Sequence, residues 1–159
     1  MTMDPMRAFL AALIIALALP LAGCQTMKTS ADLVLETSRM EQPTDTLTGK
    51  AQFLEGNFGL AEEAFRRAVE SDPGDAEAWI GLGATHDQLR RFDLADRDYA
   101  QVERLAGRHA ALLNNRGYSY LLRGDFRKAR IELSAARALD PGNPDIESNL
   151  VAAARGRRP

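Results

Sequence analysis

Two hydrophobic regimes divide this chain. From Ala8 to Leu19 every residue is apolar, twelve in a row, with Arg7 the one positive charge ahead of them. Twelve residues are too few for a spanning helix, which needs about 20, but suit the apolar stretch of a signal peptide. From residue 43 onward apolar positions return at three- and four-residue spacings, the period of an amphipathic helix. The spacing predicts helix pairs at 44–55/58–70, 77–89/92–105 and 111–122/126–139, then a last helix at 144–154. "SDPGD" and "DPGN" each join a proline that stops one helix to an Asp or Asn able to cap the next.

The same pattern repeats at a fixed distance. Gly49, Gly83 and Gly117 lie 34 residues apart, as do Phe58, Phe92 and Phe126, and Ala61, Ala95 and Ala129. A large residue recurs at Phe65, Tyr99 and Leu133, and Pro73 and Pro141 stand two periods apart. Gly and Ala recur where antiparallel helices must approach closely, because small side chains permit short interaxial distances. The period and these residue types resemble the tetratricopeptide repeat (TPR), a helix-turn-helix unit. Trp79, Leu82, Gly83, Phe92, Ala95 and Tyr99 fall on that family's signature positions. The resemblance implies an all-α solenoid of about three repeats over residues 43–155, closed by a C-terminal capping helix, with 156–159 as a tail. Three positions depart from it: Asp45 and Thr48 in the first repeat, and Arg116, where leucine is usual, in the third.

The N-terminal segment ends in Leu21-Ala22-Gly23-Cys24, and Cys24 is the single cysteine, so no internal disulfide is possible. These four residues resemble the bacterial lipobox. The resemblance implies a signal peptide over 1–23, diacylglycerol on the Cys24 thiol and an acylated N-terminus after cleavage. Residues 24–42 lack the repeat's signature and are expected to form a tether, with one weak helix from Ala31 to Met40 as the alternative. An ordinary secretory signal cut after Ala22 or Gly23 is the alternative and would leave a free thiol. Three acyl chains, at about 0.8 kcal/mol per buried CH₂, would hold the protein on a membrane permanently. Gln25, in place of the aspartate that retains lipoproteins in the inner membrane, points to the periplasmic face of the outer membrane. Asp4 interrupts the positive region, which makes Met6 an attractive start.

Charge and chemistry narrow the function. A net charge of -2 lacks the basic footprint of a nucleic-acid binder. His86 and His109 have no ligand-spaced partners, and His86 stands where the repeat packs an aromatic, so no metal or other cofactor is expected. Asp93, Asp96 and Asp98 lack the glycine and glutamate of a calcium loop and read as a solvated face. With no nucleophile, metalloprotease or phosphate-loop motif, the expectation is a binding protein and not an enzyme.

In the TPR architecture the first helix of each pair lines a concave groove. Asn114 and Asn115 lie on the third such helix, and Asn149 follows Asn115 by one period. The resemblance implies that Asn115 and Asn149, with Asn114 beside them, hydrogen-bond the backbone of an extended partner, since an amide offers both donor and acceptor. Exposed or capping asparagines are the competing reading. Tyr118, Leu121 and Leu122 are expected to add an apolar patch. Of the basic carboxylate clamp found in chaperone-binding TPRs only Lys50 is a candidate. Residues 114–150 also resemble the TadD-type TPR lipoproteins of tight-adherence (Flp) pilus assembly, which implies a protein partner from a pilus or secretion machine, such as its secretin. An adaptor for cell-wall synthases or hydrolases and a self-associating structural lipoprotein are the rival readings.

Overall fold

Seven α-helices run through residues 44–159, the part of the chain that the computed structural model describes. They are α1 (Asp45–Leu54), α2 (Phe58–Ser71), α3 (Ala76–Gln88), α4 (Phe92–Ala106), α5 (Ala110–Arg123), α6 (Phe126–Leu139) and α7 (Pro144–Ala154). The helix pairs expected from the spacing form within two residues of their anticipated ends. The signal segment, Cys24 and the tether lie outside the described residues. Among those described, no helix is long and apolar enough to cross a membrane.

Local chemistry starts and stops each helix. Thr44, Asp75, Asp125 and Asn143 accept backbone N–H bonds from Leu47, Ala78, Lys128 and Ile146 at the starts of α1, α3, α6 and α7. The first helices end in one recurring closure. The amide of residue 57, 91 or 125 donates to the carbonyl five residues back, and the residue before it has positive φ. That residue is Gly56, Arg90 and Gly124, again 34 apart. Arg90, at φ 61°, fills a left-handed site where its two counterparts are glycine.

The repeat glycines are explained by what lies against them. A Cβ at Gly49 would stand 2.7 Å from the Phe65 ring, at Gly83 2.7 Å from Tyr99, and at Gly117 2.5 Å from Leu133. The large residue of each second helix therefore seats on the bare backbone of the first. Phe65 is also wedged against Gly81 of α3, so one ring plugs the joint between the first two repeats. Ala61, Ala95 and Ala129 are wholly buried at the same crossings. Ile146, Leu150 and Ala153 of α7 cover the apolar side of α5 and α6, while Val151 faces outward, 46% exposed.

Asp98 corrects the expectation of a solvated acidic face. It is 6% exposed, and its Oδ2 lies 2.6 Å from Nδ1 of buried His86. Asp93 and Asp96 are exposed, and Asp96 binds Arg123. Helical geometry separates them: Asp98 falls three residues past buried Ala95 and beside buried Tyr99, on the face turned to α3.

Candidate protein-binding groove

Helix contacts define an inner and an outer face. The first helices touch one another in sequence, α1 to α3, α3 to α5 and α5 to α7, whereas each second helix touches only first helices. Closer spacing of the first helices curves the stack around them, leaving α1, α3, α5 and α7 along the inner face.

A buried polar assembly holds this face in place. Asp87 of α3 accepts hydrogen bonds from Tyr99 of α4 at 2.9 Å and Ser119 of α5 at 2.6 Å. Burial pushes the Asp87 carboxyl above the ordinary carboxylate value, against the two hydroxyls and Arg123 that favour its charge. Burial also pushes the Tyr99 hydroxyl well up, and the nearby Asp87 charge adds to it. Arg123 makes two bonds to Asp96, at 2.9 and 2.6 Å, and lies over the Phe92 and Tyr120 rings. Burial likewise raises Asp98, opposed by its bond to His86. Sequence reading missed this assembly because its members are 12 and 32 residues apart and no short motif joins them.

The third repeat's unusual arginine also has its partners. Arg116 lies 2.9 Å from Glu103 and 3.4 Å from Glu132, while Arg108 reaches Glu132 at 3.2 Å and Glu103 at 3.5 Å. The four alternate in a closed ring, which replaces the leucine usual at that position with a charge that has two neighbours.

On the inner face, Asn114, Asn115, Tyr118 and Asn149 are half-buried. Asn149 Nδ2 donates to Asn114 Oδ1 at 3.0 Å, linking α7 to α5, and Asn115 Nδ2 donates to the Ala111 carbonyl at 2.9 Å. Among the described residues this leaves Asn114 Nδ2 and the side-chain oxygens of Asn115 and Asn149 without a protein partner. The open amide N–H and carbonyl groups together offer both the donors and the acceptors that match an extended backbone, with its one N–H and one C=O per residue.

Leu121 does not belong to this surface. It is 0% exposed and packs with Ala129, Leu133 and Ala153. Its place four residues after Gly117 puts it on the side of α5 that meets α6. Tyr118 lies against the same cluster but keeps part of its surface. Lys50 is held by Glu77 across α1 and α3, so the lone clamp candidate is already neutralised. Two recesses open away from the asparagines. One, of about 420 Å³, lies between Thr44–Leu47 and Asp72–Glu77; the other, of about 900 Å³, lies between Gly56–Arg66 and Leu89/Arg91.

Family models described as tetratricopeptide repeat match residues 47–95 and 110–143. The type IV pilus assembly protein PilF of Pseudomonas aeruginosa is 32% identical over 108 residues, covering 67% of this chain and 43% of that protein. The chain thus spans less than half of that relative's length. The second TPR domain of human RPAP3, solved in complex with an HSP70 peptide, superposes with a TM-score of 0.61 at 21% identity, over 73% of this chain and 97% of that one. The Arabidopsis OM64 TPR domain superposes with a TM-score of 0.63 at 16% identity, over 76% of this chain and 97% of its own. The period, the glycine seats and these likenesses agree, and the chain is a tetratricopeptide-repeat protein whose solenoid runs from Asp45 to Ala154.

Proposed function

We propose that the chain is a lipoprotein anchored through Cys24 on the periplasmic face of the outer membrane. Its groove holds an extended segment of a pilus or secretion component while that machine assembles. The observation that carries the binding role is the α5–α7 asparagine set, whose Asn114 Nδ2 and Asn115 and Asn149 side-chain oxygens are unclaimed among the described residues. The likeness to a pilus assembly protein supports the system, and the resemblance to TadD-type lipoproteins points to the secretin as the partner. The lipobox supports the anchor, and the TPR fold supports binding over catalysis.

Cross-linking in cells identifies the partner, and a fragment of it is then titrated against variants. Asn115→Ala/Asn149→Ala should weaken binding roughly tenfold or more, at about 0.5–1.5 kcal/mol per hydrogen bond, with the fold intact. Arg66→Ala/Arg67→Ala, on the outer helix α2, should change it little. Undiminished affinity in the asparagine variant removes the groove from the reading. Cys24→Ser should abolish lipid labelling, and acylated mature protein from that variant removes the anchor.

A further inference from the structure

The chain's charge is unevenly placed. Helix α7 closes at Gly156, φ 61°, with Arg157 N–H donating to the Ala152 carbonyl at 3.0 Å. This closure turns the tail back over the α5–α6 turn. Gly156 lies against the Phe126 ring, and the Arg158 guanidinium stands where a Cβ at Gly124 would be 2.9 Å from it. Arg130 Nη1 approaches the Ala153 carbonyl at 3.5 Å. Arg127, Arg130, Arg155, Arg157 and Arg158 thereby collect at one end of the solenoid, all exposed.

These five differ from most other arginines of the fold. Arg67, Arg91, Arg108, Arg116, Arg123 and Arg137 each have a carboxylate within ion-pair distance. None of the five has one among the described residues. The nearby carboxylate, Asp125, is engaged by Lys128 and held below the ordinary range by the Lys128 backbone N–H. Arg127 also sits in the first turn of α6, which has no acidic residue, and there the helix dipole opposes a cation. Arg155, Arg157 and Arg158 follow the C-terminus of α7, where the dipole favours cations, but Arg127 at the start of α6 has no such support.

We infer that this end of the solenoid is a docking surface for the anionic headgroups of a phospholipid bilayer. The inference goes beyond the groove and does not depend on its partner. Arginine clusters recognise phosphate and other acidic groups. Here five exposed arginines share one end of the solenoid outside the groove, and their forked donors fit a plane of phosphates. The tether expected from the sequence reaches roughly 20–25 Å, so an anchor alone leaves the solenoid's orientation open. A basic end held within a Debye length of about 8 Å from the lipid would set it.

The full chain is titrated with vesicles of phosphatidylcholine alone and of equal parts phosphatidylcholine and phosphatidylglycerol. The ratio of the two partition coefficients is the readout, because apolar or acyl anchoring contributes to both. It should exceed about tenfold at low salt and fall toward one at high salt. Arg127→Glu/Arg157→Glu/Arg158→Glu should lower it by about tenfold or more with unchanged melting. Arg66→Glu/Arg97→Glu/Arg104→Glu makes the same change in net charge on the second helices and should leave it within about twofold. A ratio near one for the native chain overturns the proposal, as does an equal loss in both variants. A patch variant that loses poly-glutamate binding while keeping its vesicle ratio assigns the surface to an acidic protein segment and also overturns it.

Discussion

Replacing Gly83 by alanine puts the glycine-seat reasoning at risk in one step. The added methyl would stand 2.7 Å from Tyr99 Cε1 and 3.0 Å from Cδ1, well inside the ~3.5–4.0 Å of an ordinary carbon contact. The ring has little room to yield, since Tyr99 is 2% exposed and its hydroxyl donates to Asp87 at 2.9 Å. Overpacking of this kind costs about 1–3 kcal/mol. Displacing the hydroxyl loses part of a bond worth about 0.5–1.5 kcal/mol. Alanine's better helix propensity returns about 1 kcal/mol. The net is a loss of about 0.5–3 kcal/mol, or roughly 2–12 °C in Tm for a fold of this size. Gly59→Ala is the matched control: it also lies in a helix, and nothing stands within 4 Å of its would-be Cβ. That variant should gain up to about 1 kcal/mol. Thermal and urea unfolding followed by circular dichroism measure both. If the two shift stability in the same direction, the seat at Gly83 is not what keeps that position small.

At the left-handed site, Arg90→Gly should be more stable than Arg90→Ala, the reverse of helix propensity. Alanine keeps the ~1 kcal/mol strain and loses the bond to the Leu122 carbonyl, whereas glycine loses only the bond. Equal denaturation midpoints would contradict the strained turn. For Asp87, a raised folded pKa means that the native state holds its proton more tightly than the unfolded chain. Native stability therefore falls as pH rises through the window just above the ordinary value of 3.8. Asp87→Asn removes that titration, so its destabilisation should shrink as pH rises across the window; urea titrations at several pH values test the sign. Arg116→Leu restores the usual repeat residue yet should destabilise by about 1–3 kcal/mol, because half-buried Glu103 and buried Glu132 each lose a cation. Adding Glu132→Leu should recover part of that loss, and unfolding midpoints of the single and double variants decide it.

The fold was legible because it is written in small residues at a fixed interval. Gly49, Gly83 and Gly117 announce where Phe65, Tyr99 and Leu133 come down, and the proline turns announce where the chain reverses. The candidate site was only partly legible. Asn114, Asn115 and Asn149 could be placed on neighbouring first helices by counting, but counting cannot show that Asn149 bonds to Asn114 and not to Asn115. Leu121 was misplaced because an apolar residue beside a groove and one beneath it look alike in sequence. Asp87 and Asp98 were harder still. A carboxylate on a helix reads as solvent-facing until the hydroxyl or imidazole that receives it is brought in from another helix, and that pairing is a property of the packed stack.

Both joints of the stack are pinned by directed polar bonds as well as by packing, which stiffens the solenoid along its whole length. Between the first and second repeats the Phe65 ring lodges between Gly49 and Gly81, Thr46 donates to Asp75 at 2.7 Å and Arg91 makes two bonds to Glu62 at 2.7 and 2.8 Å. Between the second and third, buried Asp87 and Ser119 meet at 2.6 Å, Arg123 grips Asp96 and Arg90 reaches the Leu122 carbonyl. Such bonds lapse within a few tenths of an ångström of displacement. A pull along the chain thus meets bonds of this kind at both joints, and helices α1 to α7 resist it together. The asparagines between α5 and α7 belong to that bonded array, so their spacing holds under load.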